Sequence, residues 1–327
     1  MSIRRDRIPV MIIAAIIAVA MFLSAAGFNL PNAEMTASAQ SVSTCLNRTN
    51  IDLNEMHWIY VPESAAQLHT EENYYFLAGQ LISNGAVDAS TCPSGGLTLN
   101  GYANACGMET AKEKVIVLQN AVDEAILKAY TDVGVPPVLL KQMIRTESQF
   151  WPSYYSSTHF GYGHITNIGM RNALEWNVDL ANKVCPGSAG VACSSSSTIA
   201  NEILTGLVAT CATCENGIDL NNATRSVDIL AEVVLGYCYQ TAQLVFNATG
   251  WHSSMVVDYA TIWKLTLMDY NAGSECVFNA VASAFKATNG PVKWSDISAH
   301  TTGEQCIRGL TYANQITAKY YNFPPAE

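Results

Sequence analysis

Ten cysteines, all of them after residue 44, constrain the fold of this 327-residue chain more than any other feature. Their even number allows complete pairing in an oxidising compartment, where disulfides are the default for an exported protein. Cys185 and Cys193 enclose a Pro-Gly-Ser-Ala-Gly loop, and we expect a bridge that closes it. Cys211 and Cys214 have a spacing that also occurs in redox dithiols and in half of a zinc site. Because no second close pair of Cys or His completes zinc spacing, we expect structural disulfides.

The N-terminal segment has the pattern of a secretory signal. Three arginines lie within the first seven residues, and an uncharged apolar run follows from 8 to 26. Ala37-Ser38-Ala39 offers a cleavage site of small residues, so residues 1–39 are predicted to be a signal peptide. The run is also long enough to span a bilayer, and retention as a signal anchor stays open. We therefore expect export to the cell envelope or the extracellular space, with membrane attachment through residues 8–26 if the segment is retained.

The composition is that of a globular chain with an acidic balance. Apolar residues make up 49% and charged residues 13% of the chain, which argues against disorder and suits one sizeable domain with an appendage. The net charge of −10 argues against nucleic acid as a partner. A glycan polymer stays open as a partner, because the charge of a local cleft can differ from the net charge.

Helical spacing dominates the chain after residue 110, and the predicted fold class is mainly α. Residues 40–110 contain three of the cysteines and are predicted to form a disulfide-tied N-terminal extension, followed by one domain at 111–327. Thr110 and Glu113 form a capping-box pattern before apolar residues that are spaced as in one long helix to Tyr130. Further helices are predicted at 198–209, 226–246, 254–270, 274–287 and 305–320, with a short hairpin in 154–166.

One acidic residue falls on the apolar face of a predicted helix. Pro136-Pro137 suits the first turn of a helix, and Trp151-Pro152 ends it. Glu147 follows Met143 by four residues and Ile144 by three, so it projects from the apolar face. We expect its carboxylate to be partly desolvated at the mouth of a site, as suits a general acid. The alternative is a structural glutamate that pairs with an arginine or reaches solvent.

Three blocks of sequence resemble, in order and approximate separation, the signature blocks of lytic transglycosylases with a goose-type lysozyme-like fold. In that family a helix ends in Glu-Ser-x-Phe, a glycine-rich segment ends in Gln, and a later helix ends in Ala-Tyr-Asn-Ala-Gly. The corresponding blocks here are 147–150, 160–166 and 268–273, and the resemblance covers about the last two thirds of the chain. His164 replaces the usual Gln and Asp269 the usual Ala. Glu304, Tyr312 and Ile316 loosely echo the family's final block.

The resemblance implies an activity and a set of site residues. Glu147 would be the single catalytic carboxylate, first acid and then base, in cleavage of the MurNAc-GlcNAc β-1,4 bond of peptidoglycan with a 1,6-anhydro product. Glu147 has no nearby acid in the sequence before Glu175, and an approach of Asp179 or Asp269 in space stays open. The resemblance implies neither a cofactor nor a metal, and its partner is peptidoglycan or a related glycan polymer. The expected substrate-binding residues are Ser156, Gly163, His164, Tyr270 and Asn271, with Tyr270 donating to Glu147 or to the substrate and Asn271 bracing the loop.

Two other functions stay open at this point. The chain fits a non-catalytic glycan-binding or envelope-structural module on a lysozyme-like fold, in which His164 and Asp269 mark lost activity. It also fits a hydrolytic muramidase, because the same acid can serve when water attacks the sugar. Function belongs to the site rather than to the fold, so the geometry around Glu147 bears on all three functions.

Overall fold

The computed structural model describes residues 45–48, 53–185 and 190–318, and the fold is mainly helical as predicted. The predicted signal at 1–39 and the predicted helix end at 319–320 lie outside these residues. The helices are α1 (Met56–Ile59), α2 (Tyr75–Ser83), α3 (Ala105–Asn120), α4 (Asp123–Val133), α5 (Pro137–Ser148), α6 (Asn167–Trp176), α7 (Val178–Val184), α8 (Gly190–Ser195), α9 (Ser197–Thr205), α10 (Leu220–Thr249), α11 (Ser253–Val256), α12 (Tyr259–Ala272), α13 (Ser274–Thr288), α14 (Trp294–His300) and α15 (Glu304–Thr317). Short 3-10 turns occur at Leu53–Glu55, Ala65–Leu68, Pro93–Gly96 and Glu215–Gly217.

The long helix α10 lies at the centre and packs against α4, α6, α12 and α13. It begins where the side chain of Asp219 accepts hydrogen bonds from the N–H groups of Asn221 and Asn222, and it ends at Gly250, whose φ is 74°. Its length and apolar content would also suit a membrane span. Its most apolar window is 78% buried against the rest of the protein, however, as is usual for the core helix of a globular domain.

A predicted hairpin is confirmed directly after α5. Strands β1 (Tyr154–Ser156) and β2 (His159–Phe160) pair antiparallel, with Tyr154 opposite Phe160 and Ser156 opposite His159. The loop after β2 turns back so that Phe160 and Ile165 exchange backbone hydrogen bonds of 3.1 and 3.0 Å. This places the glycine segment beside the C-terminal end of α5.

The helix boundaries differ from the prediction where polar caps intervene. The predicted helix from Thr110 to Tyr130 is two helices, α3 and α4, with residues 121 and 122 between them. α3 also begins earlier than predicted, directly after Asn104, whose side chain accepts from the N–H of Gly107 at 2.9 Å. The Thr110 hydroxyl bonds instead to the carbonyl of Cys106. The predicted helix at 254–270 is likewise split into α11 and α12, because Asp258 caps the second of them.

The described residues of the predicted N-terminal extension pack into the same hydrophobic core as the helices after residue 110. Trp58, Ile59, Leu68 and Leu77 are fully buried in the core that α5, α10 and α12 also line. The boundary predicted at 110/111 falls inside α3. Three hydrogen-bonded contacts tie residues 68–76, which we call the strap, to one side of α5. They join Leu68 to Lys141, Glu72 to Arg145 and Phe76 to Gln149, so the two residues of each contact are 73 positions apart in the sequence.

All ten cysteines are paired, which confirms the prediction of structural disulfides. The expected bridge across the 185–193 loop is present, and the close pair at 211 and 214 is a disulfide rather than a free dithiol or a zinc ligand pair. Five disulfides indicate folding in an oxidising compartment. The bridges are Cys45–Cys238, Cys92–Cys106, Cys185–Cys193, Cys211–Cys214 and Cys276–Cys306.

Candidate active site

Glu147 lies in the last turn of α5, where the helix ends abruptly. Pro137 occupies the first turn, and the helix stops because Gln149 and Phe150 adopt φ values of 47° and 62°. Two consecutive non-glycine residues in the left-handed region are costly, and such backbone is retained when the surrounding packing holds it. The Glu147 side chain is 17% exposed, so its carboxylate is partly desolvated but open to solvent on one side. This is the placement expected from the sequence.

One oxygen of the Glu147 carboxylate is held by a tyrosine from the last helix. The hydroxyl of Tyr312, on α15, donates to Oε1 of Glu147 at 2.6 Å, and Tyr312 itself is 7% exposed. Burial raises the pKa of the Tyr312 phenol well above its usual range, and the nearby charge of Glu147 raises it further. The phenol therefore stays protonated near neutral pH and acts as a donor.

A close approach of two helices positions Tyr312. α15 packs against both α12 and α5. A Cβ atom added at Gly309 would lie 2.5 Å from the Cβ of Ala272 and 3.1 Å from the carbonyl oxygen of Met268, so only glycine allows this spacing. Tyr312 lies one turn further along the same side of α15. In the sequence, the loose echo of the family's final block was the signal for this residue, and it was not among the expected site residues.

His164 approaches the other oxygen of the same carboxylate. Its Nδ1 lies 3.6 Å from Oε2 of Glu147, and its side chain is 11% exposed. The backbone of His164 has a φ of 50°, in a tight turn that begins at Gly161 with a φ of 66°. A positive φ at a non-glycine residue is uncommon, although histidine adopts it more readily than most residues, and strained backbone conformations cluster at active sites. The glycine segment thus turns its imidazole towards the end of α5.

Tyr270 acts on the glycine segment and not directly on the carboxylate. Its hydroxyl donates to the carbonyl oxygen of Gly163 at 2.6 Å, and its ring packs edge-on against Tyr237 with centroids 5.2 Å apart. A Cβ at Gly163 would lie 2.4 Å from Leu230 Cδ1 and 2.9 Å from the Tyr270 hydroxyl, so a larger residue here would displace one of these side chains. Burial, and then the charge of Glu147, raise the pKa of Tyr270 well above its usual range. Tyr270 therefore remains a donor that anchors the turn.

The remaining expected residues lie at different places around this site. Ser156 is the last residue of β1, and Asn271 is exposed in the last turn of α12. Asp179 is exposed on α7. Asp269 is 2% exposed, and its Oδ2 accepts from the Thr241 hydroxyl on α10 at 3.3 Å. The structure therefore unites Glu147 with the turn that holds Gly163 and His164 and, through that turn, with Tyr270.

An open depression also lies away from Glu147. It has a volume of about 560 Å³, lies on the N-terminal part of the fold, is lined by residues such as Ile82, Asp88 and Leu97, and contains none of the residues around Glu147. Within the part of the chain that the structure describes, no three His, Cys, Asp or Glu side chains converge as metal ligands would. The group around Glu147 combines acidic, phenolic and imidazole side chains at short distances.

No protein-family model, no curated protein and no solved structure matches this chain. The resemblance to lytic transglycosylases therefore rests on the sequence blocks around 147, 160 and 268, and the lysozyme-like arrangement stays a prediction.

Proposed function

We propose that the protein is a lytic transglycosylase that cleaves the MurNAc-GlcNAc β-1,4 bond of peptidoglycan, with Glu147 as its catalytic residue. The observation that carries the proposal is the environment of one carboxylate. Glu147 is partly buried at the end of a helix, receives a phenolic hydrogen bond on Oε1, and has an imidazole 3.6 Å from Oε2. The blocks of sequence that resemble the family meet at this point of the fold. Ser156 and Asn271 remain predictions for contacts with the substrate.

The reaction needs a proton donor and then a proton acceptor at the same place. Protonated Glu147 donates its proton to the glycosidic oxygen while the bond from that oxygen to C1 of MurNAc breaks, through an oxocarbenium-like state. The carboxylate then takes the proton of the 6-hydroxyl as O6 forms a bond to C1. The product is a 1,6-anhydro sugar, no water is consumed, and Glu147 ends in its starting protonation state.

The neighbours of Glu147 suit this sequence of steps. Because Tyr312 donates to Oε1, the transferable proton lies on Oε2, the oxygen nearer the turn of the glycine segment. A phenol that stays protonated also stabilises the carboxylate formed after the first step, as hydrogen bonds to charged groups do. Tyr270 holds the carbonyl of Gly163 and so fixes the turn that borders the site. Each side chain thus has a defined task in positioning or in proton transfer.

The products released from purified peptidoglycan test the proposal. Mass spectrometry should detect muropeptides that end in a 1,6-anhydro sugar. Reducing ends instead would show a hydrolytic muramidase. Co-sedimentation with peptidoglycan without any released product would show a glycan-binding or envelope-structural module. The five disulfides require that the protein be produced in an oxidising compartment for this assay.

Replacement of the acid tests the assignment of Glu147. Glu147→Gln keeps the shape of the side chain but neither donates nor accepts the proton, so turnover should fall on the order of a hundredfold or more while binding to peptidoglycan survives. Glu175→Gln is the matched control, because Glu175 is an exposed glutamate on α6. An equal loss of turnover in these two variants would argue against Glu147 as the acid. Full activity of Glu147→Gln, together with loss of turnover in Asp179→Asn or Asp269→Asn, would assign the acid elsewhere.

A further inference from the structure

Gln149 ends α5 and at the same time caps the start of α2. Its backbone has a φ of 47°, and its N–H donates to the carbonyl oxygen of Arg145 at 3.2 Å, which closes the last turn of α5. Its side-chain Oε1 accepts a 3.0 Å hydrogen bond from the N–H of Phe76. That N–H lies in the first turn of α2, where backbone donors have no partner within their own helix. One side chain thus joins the end of α5 to the start of α2.

The strap holds α5 two residues before and two residues after Glu147. Nε of Arg145 donates to Oε2 of Glu72 at 3.0 Å, and the side chain of Gln149 bonds to the strap at 3.0 Å. At 3.6 residues per turn, Arg145 lies about 160° around the helix from Glu147. The strap therefore acts on the backbone of the last turn from the side opposite the carboxylate, while Tyr312 holds the carboxylate itself.

The strap is itself fixed by two amide side chains at the end of α3. Gln119 is fully buried, its Oε1 accepts from the N–H of Glu72 at 3.0 Å, and its Nε2 donates to the carbonyl oxygen of Glu72 at 2.9 Å. The side chain of Asn120 bonds to the N–H and the carbonyl oxygen of Thr70 in the same way, at 2.8 Å each. These four hydrogen bonds fix the strap against α3, so it is able to support the end of α5.

The end of α5 needs support because its backbone is strained. Gln149 and Phe150 both have a positive φ, which costs free energy at residues other than glycine and persists where the surrounding structure imposes it. Phe150 is 1% exposed, and its ring packs against Tyr74 of the strap with centroids 5.5 Å apart. The last turn of a helix also frays readily. Loss of the contacts with the strap would therefore free the turn that carries Glu147.

The position of the Glu147 carboxylate depends on this turn. A general acid acts within a narrow range of positions, and a misplacement of about 1 Å costs on the order of a hundredfold in rate. On the basis of the transglycosylase activity proposed above, we propose that Gln149 is a positioning residue, which uses its bond to the strap to keep Glu147 in place for proton transfer. It acts through the backbone of the last turn and transfers no proton itself. The strap, from the predicted N-terminal extension, is then part of the catalytic apparatus.

Two substitutions remove the bond to the strap without adding backbone strain. Gln149→Gly adopts a positive φ freely but has no side chain, and Gln149→Asn tolerates a positive φ but is one methylene too short to reach Phe76. In both, kcat on peptidoglycan should fall about tenfold to a hundredfold, while KM changes less than about twofold. Asn289→Gly is the matched control, because Asn289 also ends a helix, α13, with a φ of 54°. It should keep the wild-type kcat.

Urea unfolding of the same proteins separates positioning from stability. The urea midpoints of both variants at position 149 should stay close to wild type, because relief of the strained backbone offsets the lost hydrogen bond. An unchanged kcat in both variants would overturn the inference. A fall in kcat that Asn289→Gly shares, or that follows the unfolded fraction of each protein, would also overturn it and would leave Gln149 with a purely structural role.

Hydrogen exchange provides a measurement that does not depend on turnover. The amide protons of Glu147 and Ser148 should exchange about tenfold faster or more in Gln149→Asn than in wild type, because the last turn of α5 opens more often, while those of α13 keep their rates. Unchanged rates at Glu147 and Ser148 overturn the positioning role even if peptidoglycan is cleaved. Faster rates, in a protein whose wild type releases no product, support the hold of the strap on α5 and reject the proposed function.

Discussion

The hydroxyl of Tyr312 donates a 2.6 Å hydrogen bond to Oε1 of Glu147 and so joins two residues 165 positions apart in the sequence. The contact exists because α15 packs on α12 and α5 at a distance that Gly309 permits. It fixes one oxygen of the carboxylate and leaves Oε2 facing His164. The last helix of the described fold is therefore part of the candidate site and not only a cover for the core.

We expect Tyr312→Phe to lower kcat/KM on peptidoglycan about tenfold to a hundredfold. The variant loses one hydrogen bond to a charged group, which contributes about 1.5–3 kcal/mol. Binding of peptidoglycan should change little, because the phenol acts on Glu147 and not on distant sugars. Tyr130→Phe is the control, since its hydroxyl accepts a 3.0 Å hydrogen bond from Arg48 away from Glu147. Steady-state kinetics on both variants check this, and equal losses in the two would argue against a special role for Tyr312.

The helix that carries Glu147 and the hairpin after it were predictable because their signals are local. The proline pair at the start of α5, the spacing of the apolar residues in α5 and the Trp151-Pro152 stop all lie within 17 residues of each other. The ends of helices were harder to place, because a cap depends on which of several polar residues meets the backbone. Asn104 begins α3 although Thr110 has the better capping-box pattern.

Contacts between distant parts of the chain were not predictable from local patterns. Tyr312 reaches Glu147 only through the packing of three helices, and no spacing in the sequence reports that packing. Asp269 was expected at a helix end near Glu147, yet it faces α10 and is 2% exposed. Lys141 lies among the apolar residues of α5 and is buried with them, and its acidic partner, Asp123, comes from another helix. Each of these depends on tertiary structure.

Lys141 and Asp123 form a buried ion pair where the strap, α4 and α5 meet. Their side chains are 1% and 7% exposed, and Lys141 Nζ donates to Asp123 Oδ1 at 2.6 Å and to the carbonyl oxygen of Leu68 at 2.6 Å. Lys141→Met should therefore destabilise the fold by about 3–5 kcal/mol, because it leaves a buried acid without its counter-charge. Urea unfolding at pH 7 measures this loss.

A double-mutant cycle separates the ion pair from general packing. In an Asp123→Asn background, Lys141→Met should cost less than half of its cost in wild type, because no uncompensated acid remains. Lys128→Met is the matched control on α4, since Lys128 pairs with Asp132 at the surface with side chains 65% and 48% exposed, and it should leave the urea midpoint almost unchanged. Equal costs of Lys141→Met in both backgrounds would show that packing and not charge explains the effect.

The five disulfides should differ in what they contribute to stability. Cys45–Cys238 spans 193 residues and Cys211–Cys214 only 3, and the chain-entropy estimate gives about 5 and about 2 kcal/mol for loops of these lengths. We therefore expect Cys45→Ala/Cys238→Ala to unfold at a clearly lower urea concentration than Cys211→Ala/Cys214→Ala. Labelling of the denatured, unreduced wild type should find no free thiol. A larger loss of stability on removal of Cys211–Cys214 than on removal of Cys45–Cys238 would contradict an entropic origin of the stabilisation by these disulfides.

Asp269 should make the fold less stable as the pH rises from about 4 to about 8. Burial raises the pKa of its carboxyl to about 8, and the hydrogen bond from Thr241 opposes this only in part. In that range the folded protein keeps a proton that the unfolded chain, with an ordinary pKa near 4, has released. The stabilisation is thus fully present below pH 4 and is lost as the pH passes 8.

Asp269→Asn removes the titration and keeps the acceptor for Thr241, so its unfolding free energy relative to wild type should rise with pH by up to about 1.4 kcal/mol per unit. Urea titrations of both proteins between pH 4 and 9 measure this difference, and parallel curves would show that Asp269 is ionised in the folded state.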